Sequence, residues 1–215
     1  GTRNQPGAWT DDGAQLAWTR QQDGDPNADI LVADPSDPSS RRVVLEGEGA
    51  MFASDWSPSG DRILVGRYYS ITHTDLYVLD VESGELTEIN PGATVAYGDA
   101  AFSGDGESVL VVTDEDSNFR RILEIDLETG DKRVVTPAHD WDVSGFDLSP
   151  DGRTLAYTIN AGGVSEIRLI DAATGQARPA PELPYGIVGG LAFDDAGERL
   201  GFTFTSPTSS GDAWT

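Results

Sequence analysis

Apolar residues fall along this chain in short runs, none longer than four residues, separated by polar turns. Residues 51–89 set the pattern. Met51–Trp56 reads as one strand, Ile63–Tyr68 as a second, Leu76–Val81 as a third and Glu85–Ile89 as a fourth. The runs are rich in β-branched and aromatic residues and are bounded by Gly, Pro, Asp and Ser, which is how strands are punctuated. The next stretch gives Val109–Thr113, Ile122–Leu127 and Lys132–Thr136 in the same way. One segment argues back. Residues 107–129 lack Gly and Pro, and Phe119, Ile122, Leu123 and Leu127 sit at helical spacing. Alone, it reads as well as a helix.

The repeat settles that ambiguity. A glycine after a short polar turn recurs in WTDDG, WSPSG, FSGDG, LSPDG and FDDAG, at Gly13, Gly60, Gly106, Gly152 and Gly197, spaced by 47, 46, 46 and 45 residues. A second marker follows in DVESG, DLETG and DAATG, ending at Gly84, Gly130 and Gly175. In the first unit Asp34 holds the Asp position, but PSDPSS replaces the tight turn. RILEIDLETG then aligns with DLYVLDVESG and EIRLIDAATG, and the last is poor helix material. Strands are therefore expected throughout.

Four-stranded units of about 40–45 residues are the signature of β-propeller blades. The expected fold is all-β, a propeller of four-stranded antiparallel blades, about four and a half of them present. They run over approximately 6–46, 51–90, 97–137 and 143–181, with an incomplete unit at 187–215. Because propellers close with about 4–8 blades, a chain stopping inside a blade reads as truncated, a single partial propeller over 1–215 whose open edges should favour self-association. The residue before each turn (Trp9, Trp56, Phe102, Leu148, Phe193) should face a neighbouring blade. Gly98, Gly145, Gly189 and Gly190 should sit where first strands crowd together.

Charge narrows the partners. The chain of 215 residues carries 37 acidic and 14 basic residues, a net charge of −23, with a single lysine, Lys132. Such a surface repels phosphate, so nucleic acid and anionic membranes are not expected partners. It suits high salt or cationic ligands; a composition biased toward Asp on an ordinary solvated surface explains it equally. With no cysteine and two histidines 66 positions apart, there is no thiolate site, and little is available for zinc or a histidine base. No cofactor is expected. No signal-peptide core is present in this stretch, and a cytoplasmic location is favoured.

The turns carry a resemblance. WSPSGDRILV, LSPDGRTLAY and the DVESG, DLETG and DAATG turns resemble the SPDG propeller repeats of the TolB-like and prolyl oligopeptidase families. The longer phrases SDWSPSGDRILVGRYYS, TDEDSNFRRILEIDLETG and WDVSGFDLSPDGRTLAY look like the N-terminal propeller of bacterial prolyl oligopeptidase-family serine peptidases, the acylaminoacyl-peptidase-like branch. That resemblance implies a non-catalytic domain that docks to an α/β-hydrolase domain of the same polypeptide and gates the entry of short peptides. The alternative is a stand-alone TolB-like propeller acting as an interaction scaffold. No Ser has Gly at both −2 and +2, the nucleophile-elbow pattern. No catalytic residue is therefore assigned.

Several residues stand out as candidates for binding. Asp23, Asp25, Asn27 and Asp29 form D-x-D-x-N-x-D between the second and third strands, an array of oxygens that suits calcium. It departs from the EF-hand at Ala28 and Asp34, and an acidic hairpin tip is the plainer reading. Asp114, Glu115 and Asp116 share one inter-strand loop that could take a peptide amino group or a cation. Arg67, Tyr68 and Tyr69 begin the equivalent loop one blade earlier, where an Arg among aromatics recognises a carboxylate or a partner, or else covers a blade edge. His139 beside Asp140, Trp141 and Asp142 forms a further polar cluster, for which a structural role is the plainer reading.

Overall fold

A computed structural model describes residues 1–215, and all of its regular structure is β. The first sheet holds β1 (Thr2–Trp9), β2 (Leu16–Gln22), β3 (Ala28–Asp34) and β4 (Asp37–Leu45). The second holds β5 (Ala50–Trp56), β6 (Arg62–Ser70), β7 (His73–Asp80) and β8 (Leu86–Glu88). The third holds β9 (Tyr97–Phe102), β10 (Ser108–Thr113), β11 (Arg121–Asp126) and β12 (Lys132–Val134). The fourth holds β13 (Val143–Leu148), β14 (Thr154–Asn160), β15 (Ser165–Asp171) and β16 (Ala177–Arg178). The fifth has three strands, β17 (Ile187–Phe193), β18 (Leu200–Ser206) and β19 (Ser209–Trp214). In every sheet each strand pairs only with its sequence neighbours, which is the meander of a propeller blade. The stretch that competed as a helix forms β10 and β11. No helix is long and apolar enough to cross a membrane.

The repeated glycines have a single cause. Gly13, Gly60, Gly106, Gly152 and Gly197 all take φ between 67° and 72°, and Gly84, Gly130 and Gly175 take 69–75°. This left-handed region strains every residue with a Cβ. Hydroxyls and carboxylates hold the same turns. Ser103 Oγ donates to Asp105 at 2.6 Å and accepts from the Ser108 N–H at 2.9 Å. Ser149 and Asp151 repeat this at 2.6 Å, with Thr154 N–H on Ser149 Oγ at 2.9 Å. The first unit's second turn departs from its expected form. Register places Asp34 opposite Asp37, so Pro35 and Ser36 alone make a tight hairpin, with Asp34 accepting from the Ser36 N–H at 2.8 Å.

By contacts the chain divides into two compact units, residues 1–109 with 125–131 and residues 110–124 with 132–215. In the first unit, Ile30 and Val32 of β3 pack with Trp56, Ile63, Val65 and Leu79 of the second sheet. Trp56 is buried, and its Nε1–H donates to the Ala8 carbonyl at 3.0 Å. Trp9, at the same place in the first sheet, is instead 53% exposed and does not face a covering blade as Trp56 does. In the second unit one cluster joins Ile122, Val143, Leu155, Tyr157 and Ile170. Another joins Ile167, Val188, Phe202 and Phe204.

Carboxylates fasten consecutive sheets to one another. Asp55 accepts the Phe102 N–H at 2.8 Å, and Asp147, one residue before Leu148, accepts the Phe193 N–H at 2.6 Å. Burial pushes the Asp147 carboxyl up from its ordinary range, and the hydrogen bond from Phe193 opposes that shift. Gly145 and Gly190 lie at bulges, while a Cβ on Gly189 would come within 3.0 Å of Thr203 Oγ1. Pairing slips between Val143 and Gly145 and between Gly189 and Ala192, and Gly190 takes φ 58° there. Backbone conformation, more than crowding, selects glycine at that position.

Candidate functional site

The residues singled out at positions 67–69 lie on β6, not in a loop. The strand runs on to Ser70, and Ile71 and Thr72 alone turn the chain into β7. Alternation along these strands decides what meets. Arg67 stands opposite Asp75 and Val65 opposite Tyr77, so Arg67, Asp75 and Tyr77 share a face. Tyr69 stacks on His73 with ring centroids 4.5 Å apart, and the Arg67 guanidinium lies 5.2 Å from the Tyr69 ring centre. Asp75 binds His73 Nε2 at 2.9 Å and accepts from the Tyr77 hydroxyl at 3.1 Å. Outside the group, Arg67 pairs with the exposed Glu48 at 3.7 Å.

Burial, then the neighbouring Asp75, pushes the Tyr77 phenol up to about 12; the same causes raise Tyr69. Both phenols therefore stay protonated and serve as donors. The tip remains open to solvent, with Tyr69 47% and Ile71 85% exposed. Tyr68 points to the opposite face, beside a cavity of about 260 Å³ also lined by Arg3, Gln5, Gln21, Met51 and Phe52. Phe52 reaches this wall because its partner across the sheet is Gly66; a Cβ there would come within 2.2 Å of the ring. The arrangement offers a cation and exposed rings on one hairpin, a combination suited to a carboxylate or a partner surface.

The alternation H-T-D-L-Y was the available signal for His73, Asp75 and Tyr77, since it sets all three on one face of a strand. The count of two histidines gives no hint of His73's contacts, which the pairing of β6 and β7 supplies in part.

The other candidates are differently placed. Asp25 accepts the Asn27 N–H at 2.9 Å, and Asn27 accepts the Gly49 N–H at 2.8 Å. Asp29 lies in β3 and pairs with Arg20 at 2.9 Å. No three acidic or histidine side chains group as metal ligands would. The loop after β10 is divided: Glu115 turns inward to Lys132 at 2.6 Å, while Asp114 and Asp116 are exposed and Asp116 takes φ 52°. His139 does not join its neighbouring carboxylates. Both of its ring nitrogens are buried without a hydrogen-bond partner, and Asp142 accepts instead from the Arg120 N–H at 2.8 Å.

Known proteins share this fold. Dipeptidyl-peptidase 5 of Porphyromonas gingivalis is 28% identical over 134 residues, which is 57% of this chain and 20% of that protein. Prolyl oligopeptidase B of Galerina marginata superposes with a TM-score of 0.76 at 16% identity, over 96% of this chain and 31% of its own. TolB of Acinetobacter baumannii superposes with a TM-score of 0.69 at 17% identity, over 98% of this chain and 56% of its own. At such identities the two structures show a shared fold, and this chain spans only part of each of the three proteins. The family profile described as PD40, the TolB beta propeller domain, matches residues 5–182. The meandering sheets, the recurring turns and that match agree: this chain belongs to the TolB beta propeller domain family.

Proposed function

We propose that these residues form the non-catalytic propeller of a prolyl oligopeptidase-like serine peptidase, docked to an α/β-hydrolase domain of the same polypeptide and gating the access of short peptides. The likeness to a dipeptidyl-peptidase carries this reading, since 57% of this chain aligns with only a fifth of that enzyme. A propeller in such an enzyme needs no nucleophile, and no Ser here stands in an elbow pattern. The contact we assign is the hairpin tip, with Arg67 and Tyr69 meeting a peptide or the docked domain and Tyr68 bordering the adjacent cavity. Asp114 and Asp116 are a second exposed anionic contact, suited to a peptide amino group. The alternative, a TolB-like interaction scaffold, draws support from the superposition on TolB.

An active-site-directed fluorophosphonate distinguishes the two. Under the first reading the native polypeptide is labelled at a Ser outside residues 1–215, and the chain alone neither labels nor cleaves acyl-aminoacyl or prolyl chromogenic substrates. A native polypeptide that never labels supports the scaffold, and stoichiometric labelling of any Ser within residues 1–215 overturns both readings.

A further inference from the structure

A cavity of about 380 Å³ lies in the second unit, with His139 in its wall. Its origin is a short outer strand. β16 pairs with β15 only at Leu169 and Ile170, so no fourth strand flanks Arg168. Tyr157 stands opposite Arg168 and Ile159 opposite Glu166, which puts Tyr157, Ile159, Glu166, Arg168 and Ile170 on one face of the sheet. That face forms one wall of the cavity, and Pro137, Ala138 and His139 form another. The volume falls within the range of about 300–1,000 Å³ for small-molecule sites.

Two observations specify what fits. First, the chain carries 37 acidic and 14 basic residues, yet the cavity wall holds Arg168, Arg178 and His139 and no acidic side chain. Arg178 is engaged with Asp171 and Thr154, each at 2.8 Å, whereas Arg168 contacts Glu166 through one nitrogen and has further N–H groups to offer. Second, His139 lies at the wall with both ring nitrogens buried and unpartnered. Buried polar groups are ordinarily satisfied, and an imidazole left without a partner calls for one. The remaining wall is mostly apolar.

We propose that this cavity binds a small carboxylic acid with an aromatic or branched aliphatic body, its carboxylate received by Arg168 and, on a turn of its ring toward the cavity, by His139, its body lying against Leu169 and Ala180. The chain has only two histidines, so isotopically labelled histidine gives one ring signal set for His139 and an internal control from His73. Titration with phenylacetate should move the His139 signals at millimolar concentration or below and leave those of His73 still. Phenethyl alcohol and phenethylamine, with similar bodies, should bind at least about tenfold more weakly, since charge-assisted bonds to Arg are the strong ones. Arg168→Gln, at a half-exposed side chain, should weaken phenylacetate by a similar factor and leave the alcohol unchanged. A further arm uses an acetylated tripeptide ending in phenylalanine: movement of the same signals identifies a peptide C-terminus as a source of the carboxylate, and its absence restricts the site to free acids. Still His139 signals throughout, equal response to acid and amine, or an Arg168→Gln chain that binds phenylacetate as before would each overturn the proposal.

Discussion

Asp171 shows what single carboxylates do in this molecule. Arg178, then the Thr174 hydroxyl and N–H, hold its carboxyl at about 2, against an ordinary value of 3.8. Asp105 and Asp151 are lowered first by the hydroxyls of Ser103 and Ser149, and Asp126 by the Thr129 N–H. A depressed folded value means stability that is complete above the unfolded value and lost as pH falls through the folded one. The turns should therefore hold at neutral pH and fail together between about pH 4 and pH 2. Near-ultraviolet circular dichroism along an acid titration checks this; a transition already complete at about pH 5 contradicts it. Asp171→Asn should move the midpoint upward, because it removes the carboxylate that prefers the fold.

Elements here are set by turns and joined by single polar contacts. At Gly84, φ 75° makes Gly84→Ala costly, by about 1–2 kcal/mol. Gly66→Ala should cost more than that, because β6 has no room between its backbone and the Phe52 ring. Urea melts of the two variants order them; equal losses would mean that Phe52 moves aside freely. Asp147 provides a sharper contrast. Its role is to accept the Phe193 N–H, which an amide oxygen also does. Asp147→Asn should thus be nearly neutral, while Asp147→Ala leaves a part-buried N–H unmet, at about 1 kcal/mol or more. Since burial raises this carboxyl, its charged form is disfavoured by folding, and the Asn variant should gain relative stability as pH rises.

At the scale of the whole molecule, charge dominates. A net charge of −23 makes the folded chain repel itself. Several of the basic side chains are already committed, as in Arg20–Asp29, Lys132–Glu115 and Arg133–Glu124. Salt screens exposed charges beyond about 8–10 Å at moderate ionic strength. Molar KCl should therefore raise the melting midpoint, by roughly 3–6 °C for about 1–2 kcal/mol of relieved repulsion. A midpoint unchanged or lower in KCl would show that the carboxylates are already paired or too dispersed to matter. The five-sheet architecture has the same whole-chain character. Each blade buries one face against the next, so no single unit of about 45 residues would make a core alone.

The architecture was legible because a propeller writes its turns periodically. A left-handed turn admits little but glycine, so Gly60, Gly106 and Gly152 appear in register whatever packs around them. The same register decided that Arg121–Asp126 is a strand, against its own helical spacing. The candidate hairpin was half legible: Arg67, Tyr68 and Tyr69 drew attention as an Arg among aromatics. Alternation along β7 already set His73, Asp75 and Tyr77 on one face, but only the pairing of β6 with β7 placed Asp75 opposite Arg67 and Tyr69 on His73. Burial was beyond the sequence altogether. Nothing in the order of residues says that His139 turns away from Asp140 and Asp142, or that Trp9 stays open while Trp56 is covered. Local chemistry writes turns into the sequence, because a turn is made by four or five adjacent residues. Cavities and cross-strand clusters join residues far apart in the chain, and only the packed fold decides which of them meet.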